Sequence, residues 1–227
     1  MALIELQSSL FFSQKAQGVL VFENLIVTIR KVLSTYVTFQ SPANMIPVPD
    51  NAPAEIPRVQ MFSLDGKVTV NISRLAITLT KNVVDLNSSE EKKAFHDSSK
   101  LIVSGLLNDG ISFTRAGFVY RYVLNDIQPS KFIHDKYINK NISEDGLIEA
   151  SINLVYRKKA SNFPYNEITN ISNSVVNQDK QTFFFMRDFN TAHDEFVNVT
   201  TTVIDELIHI ADNSMSKDDI IIINTLQ

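Results

Sequence analysis

From Lys67 to Thr80 apolar and polar positions alternate along the chain. Val68, Val70 and Ile72 alternate with Lys67, Thr69 and Asn71, and Leu75, Ile77 and Leu79 with Arg74, Ala76, Thr78 and Thr80. A period of two turns one side of each run toward a core and the other toward solvent, the pattern of a half-buried strand. Only Ser73-Arg74 separates the runs, so a hairpin is expected. Asp65-Gly66 upstream marks another turn, because glycine takes positive φ at little cost. Leu3 to Phe12 reads as an N-terminal strand that pairs into the sheet or with another copy of the chain.

Elsewhere the period changes to 3.6. Phe22, Leu25, Ile26, Ile29, Val32, Leu33 and Tyr36 form one stripe and predict a helix over about Gln14 to Tyr36. Ser88-Ser-Glu-Glu91 is a capping box that opens a second helix, with Phe95, Ile102 and Leu106 on its apolar face, ending near Leu107. A third carries Val199, Val203, Ile204, Leu207, Ile208 and Ala211, and Ile220 to Ile223 forms a last apolar cluster, strand or short helix. Ile111 to Asn125 reads as a long strand. Gly146 to Arg157, Tyr165 to Val176 and Thr182 to Phe189 read as three more, with Phe183 to Met186 apolar on both faces and therefore central. A short helical segment is expected from Pro129 to about Ile138. Gln40 to Pro57 holds five of the seven prolines and is an extended connector, wrapped on the core or mobile.

This order predicts an α+β fold, antiparallel sheet covered by helices, with two similar lobes as the hypothesis. Residues 1–142 would form the first lobe with the proline-rich connector 40–57, and residues 143–227 the second with the long helix. No internal sequence repeat accompanies it. Composition then narrows the function classes. The chain is 44% hydrophobic, enough for a sizeable core, and carries a formal charge of −4, a balance that disfavours nonspecific nucleic-acid binding. It has no cysteine, which excludes disulfides, thiolate metal sites and cysteine nucleophiles. The N-terminus lacks a basic n-region, and no apolar run approaches a membrane span. A soluble, cytoplasmic protein is expected.

Candidate chemistry is sparse. His96, His134, His193 and His209 form no His-Glu-X-X-His pair. His193-Asp194-Glu195 reads as the acidic N-terminus of a helix, and His209 as a partly buried or capping residue. Glu90-Glu91 reads as part of the capping box and Asp218-Asp219 as a solvated turn; Arg157-Lys158-Lys159 reads as a solvated turn at a strand end. No catalytic residue, metal ligand or cofactor is assigned, and an enzyme is the less favoured class. Arg115 and Arg121 lie on the same side of one strand, about 20 Å apart by strand rise. Burying either unpaired is costly, so each should meet an acid or face a groove.

Ile56-Pro-Arg58-Val-Gln60, Ser63-X-Asp65-Gly66, and Phe113-Thr-Arg115-Ala-Gly117-Phe-Val-Tyr-Arg121-Tyr122 with Asn125-X-Ile127 resemble segments of a sporadically distributed family of uncharacterised prokaryotic proteins. An apolar strand over Phe183 to Asp188 and a helix with Leu207, His209 and Ala211 extend the resemblance from about Val19 to Ser216. The resemblance carries no activity. With Arg58 and Tyr122 from the same segments, Arg115 and Arg121 make up the candidate binding residues. The leading expectation is a non-enzymatic adaptor that docks another protein, or itself as a homo-oligomer, through a sheet edge or groove. The alternatives are a small-ligand sensor or enzyme with a site at the lobe junction, and a holding chaperone.

Overall fold

A computed structural model describes residues 2–83, 89–124, 133–135, 151–177 and 180–225. The strands are β1 (Ala2–Phe12), β2 (Asn44–Met45), β3 (Val59–Phe62), β4 (Val68–Ile72), β5 (Ala76–Asn82), β6 (Phe113–Leu124), β7 (Ser151–Lys159), β8 (Pro164–Asn177) and β9 (Lys180–Thr191). They join in one antiparallel sheet of order β2-β3-β4-β5-β1-β6-β9-β8-β7. The helices are α1 (Gln14–Gln17), α2 (Phe22–Leu33), α3 (Ser89–Asn108) and α4 (Thr201–Thr225). The fold is α+β, as the alternation predicts.

The expected hairpin is β4–β5, with Ile72 opposite Ile77 and Val70 opposite Leu79. Ser73 closes its turn by accepting from the amides of Leu75 and Ala76. The Asp65-Gly66 turn also forms, with Gly66 at φ 70°. The N-terminal strand pairs within its own chain and lies mid-sheet, between β5 and β6. One half of the element order then repeats the other. Each half runs from a central strand through helical structure to a meander that returns to the central strand, and each ends in a long helix. Around the β1–β6 pair the order β5-β4-β3 mirrors β9-β8-β7.

Register assigns the two faces of the sheet. Leu6, Leu10, Phe12, Val70, Ile77, Leu79, Phe118, Tyr120, Phe185 and Phe189 are buried on one face, where the helices lie. Phe95 of α3 meets Phe118 edge-on, with centroids 6.5 Å apart. The single helix expected over Gln14 to Tyr36 is two. Ser13 caps α1 by accepting from the amide of Ala16; the chain then turns at Gly18, and Val21, extended at φ −112°, precedes α2. The apolar stripe begins only at Phe22; across Gly18 to Val21 Leu20 alone packs on the core, and Val19 and Val21 are exposed. Ser88 and the beginning of the capping box, Pro129 to Phe132, Lys136 to Ile138 and Gly146 to Ala150 lie outside the described residues. Ile220 to Ile223 belongs to α4, which is longer than its stripe.

Helices α2 and α3 touch at Gly105. A Cβ built there would stand 2.7 Å from Val32 Cγ1. Alanine raises helix propensity by about 1 kcal/mol over glycine, but Val32 is stiff at χ1 and cannot easily yield. Overpacking of this kind costs about 1–3 kcal/mol. Gly105→Ala is expected to lower stability in urea unfolding, and the added Val32→Ala change to restore most of the loss.

The proline-rich connector is fixed to the sheet. Arg58 donates to the carbonyls of Val48 and Pro49, the latter at 2.9 Å. Arg74 donates to those of Asp50 and Ala52 at 2.6 and 2.8 Å. Prolines leave carbonyls without a helix or ladder to use them, and the two guanidinium groups supply the missing donors.

Under α4 lies a polar seam. His96 shares a 2.8 Å hydrogen bond with the Tyr120 hydroxyl, and both are buried. Lys92 sits over the Tyr120 ring and bonds Asp212 of α4 at 2.6 Å. Nearby, Arg187 is 1% exposed and pairs with Glu167 at 2.6 Å, and Ser214 of α4 bonds both. Burial drives the His96 pKa down to about 4 and raises that of Tyr120, so the pair is neutral near pH 7.

Candidate binding face

Among the described residues no helix covers the opposite face of the sheet. Its side chains follow from the register. Gln60, Thr69, Asn71, Thr78 and Thr80 come from β3 to β5; Glu5, Gln7, Ser9 and Phe11 come from β1. Arg115, Gly117, Val119 and Arg121 of β6 lie beside Met186, Asp188 and Asn190 of β9. Asn166, Ile168 and Asn170 of β8 and Asn153, Val155, Arg157 and Lys159 of β7 complete it. Most of these residues are half-buried. Amides and hydroxyls dominate, with a few apolar residues between them.

Hydrogen bonds knit its middle. Arg121 pairs with Glu5 and donates to Gln7 Oε1 at 3.1 Å. Gln7 donates to Ser9, whose hydroxyl lies 3.4 Å from that of Thr78. Across β6, Asn190 Oδ1 accepts from Asn166 Nδ2 at 3.1 Å and from Arg115 Nη2 at 3.4 Å, while Asn190 donates to Asp188 at 2.9 Å. Burial pushes the Asp188 carboxyl above its ordinary range, opposed by the Asn190 amide and by the charges of Arg115 and Arg121. The close approach at Gly117, where a Cβ would stand 2.9 Å from Asn190 Cβ, keeps Asn190 in place.

The four candidate residues separate. Arg115 and Arg121 share this face, as alternation predicts. Tyr122 lies on the helix side, buried, its ring 5.9 Å from that of Phe185. Arg58 secures the connector. Arg121 meets an acid, whereas Arg115 faces a groove. No protein-family model matches the chain, and no curated protein matches it.

At one end of the face the groove has a volume of about 710 Å³ and is lined by Phe11, Lys15, Arg115, His193, Glu195 and Phe196, among others. His193-Asp194-Glu195 is not a helix start but a turn after β9. Val199 is tied to the Phe113 carbonyl, and α4 begins at Thr201. Asp194 bonds Arg157 at 2.8 Å, which holds its carboxyl below the usual range. Arg157 and Lys158 belong to β7 rather than a solvated turn, and Lys158 bonds Glu167 at 2.5 Å. His209 is exposed, bonded to Asn213. Among the described residues no three His, Cys, Asp or Glu side chains cluster as metal ligands, and no helix is long and apolar enough to cross a membrane.

Glu5, Gln7, Asp188, Asn190 and Asn166 were not singled out by sequence reasoning. Each sits at an alternating strand position, but strand order alone brings them together, and no local signal announces that order.

Proposed function

We propose that the chain is a non-enzymatic binding protein that docks the acidic surface of another protein on the uncovered face of its sheet. The supporting observation is that face itself: a continuous polar surface with no helix over it among the described residues. Its described side chains include four cations (Arg115, Arg121, Arg157, Lys159) and three carboxylates (Glu5, Asp188 and Asp194, the last paired with Arg157), a balance of +1 on a chain of −4. Charge complementarity therefore favours an acidic partner over a second copy presenting the same face. A nucleic acid fits less well, because Arg121 and Arg157 are already paired with Glu5 and Asp194. Too few cations then remain to displace the counterions of a polyanion. The rows of Asn, Gln, Ser and Thr are suited to satisfying a partner's polar groups.

Site-specific photo-crosslinking in cells that express the chain tests this. The crosslinker replaces Thr80 or Asn170 on the open face, or Lys31 on the exposed side of α2. The expected result is one protein adduct from both face positions and none from Lys31. Adducts to nucleic acid, adducts to the chain itself, or equal yields from Lys31 would overturn the reading.

A further inference from the structure

Four arginines stand in the strands. Arg121 meets Glu5, Arg157 meets Asp194 and Arg187 meets Glu167. Arg115 has no carboxylate within ion-pair distance among the described residues. Among the described residues its one side-chain hydrogen bond is the long 3.4 Å contact to Asn190 Oδ1, an oxygen already taken by Asn166, and its Nε is buried without an acceptor there. A guanidinium offers five donors in a fixed fork, and leaving buried donors unmet is costly. Other arginines also bury an unmet Nε, but among the described residues Arg115 is the strand arginine without a carboxylate beside it, and it stands in the lining of the groove.

The surroundings specify what would meet it. The guanidinium carbon lies over the Phe11 ring, 4.8 Å from its centroid. Phe196, also lining the groove, is 82% exposed, an unusual position for a large apolar ring unless something covers it. An acceptor for two parallel N–H groups and an apolar group for the rings are therefore needed side by side. A carboxylate and an apolar side chain branching from one carbon have that spacing, and the C-terminal residue of a polypeptide provides both. Glu195, which also lines the groove, offers an acceptor for a backbone N–H group of such a segment.

We infer that the Arg115 groove binds the C-terminal carboxylate of the partner, with the apolar side chain of the last residue against Phe11 and Phe196. This rests on the docking reading above and adds the part of the partner that enters the groove. Arg115 holds the carboxylate through a bidentate charge-assisted pair, an arrangement that lysine reproduces poorly. A partner with an amidated or extended C-terminus loses this contact while its acidic surface still meets the face.

The probes are N-acetyl-phenylalanine, which carries the terminal carboxylate, and N-acetyl-phenylalaninamide, which does not. Each is titrated into the full chain and followed by amide chemical shifts. The acid is expected to give saturable shifts at Phe11, Ser112, Arg115 and Phe196, and the amide to bind at least tenfold more weakly. Arg115→Met should abolish the acid's shifts, while Lys31→Met, on the exposed side of α2, leaves them within twofold. Equal binding of acid and amide, or shifts elsewhere on the chain, would overturn the inference even if Arg115→Met fails to fold. Failure here with the Thr80 and Asn170 crosslinks intact would refute the groove and leave the docking face standing. Saturable acid binding without those crosslinks would refute the face alone.

Discussion

Replacing Arg187 by methionine is expected to lower stability by about 3 kcal/mol, the lower end of the range for stripping one partner from a buried ion pair. Methionine fills much of the same space, so a cavity is a minor part of the effect. The loss comes from Glu167, itself 7% exposed, which would keep Lys158 and Ser214 but lose the guanidinium 2.6 Å away. In the native chain the pull of Lys158, Arg187 and Ser214 outweighs burial and holds the Glu167 carboxyl below its usual range. The double change Arg187→Met with Glu167→Gln removes the stranded charge and should recover at least half of the loss. Urea unfolding at pH 7 reads both values. A single variant as stable as the native chain would show that the Arg187–Glu167–Ser214 seam does not hold α4 to the sheet.

Acid should weaken the fold through His96. Its folded pKa is about 4, lowered chiefly by burial and partly offset by Asp212, against an unfolded value of about 6.5. Between those values the unfolded chain takes up the proton and the folded chain resists it, so stability falls as pH drops from about 6.5 to about 4. The full span corresponds to roughly 3 kcal/mol. His96→Gln keeps a hydrogen-bonding partner for the Tyr120 hydroxyl but cannot be protonated. Its unfolding midpoint is expected to change much less over this window than that of the native chain. Parallel pH profiles for the two proteins would exclude His96 as the origin of the acid sensitivity.

The difference between the two arginines of β6 shows how much the sequence could reveal. Period-two alternation is a local property, so it placed Arg115 and Arg121 on one face and found the β4–β5 hairpin across its two-residue turn. Which strand lies beside β6 is not local. Glu5 is 116 residues from Arg121 and Asn190 is 75 from Arg115, so the acid that satisfies one and the groove that receives the other emerge only from strand order. Tyr122 joined the candidates through the resemblance, although the same alternation already puts it on the side opposite Arg121. Arg58 was legible as a burial problem but not as a clamp, because its acceptors are carbonyls that any residue carries. The break between α1 and α2 was visible at Gly18, yet β-branched residues around it suit helix and strand entry alike.

If the uncovered face, and not the helical surface, docks the partner, charge added to that face must weaken binding. The direct measurement is titration calorimetry of the crosslinked partner, once purified, against three variants. Thr80→Glu and Asn170→Glu add a negative charge to the two halves of the face, and Lys31→Ala changes only α2. Each face variant is expected to bind at least tenfold more weakly, about 1.4 kcal/mol, and Lys31→Ala to keep an affinity within twofold of native. Native affinity in both folded face variants would contradict docking on that face.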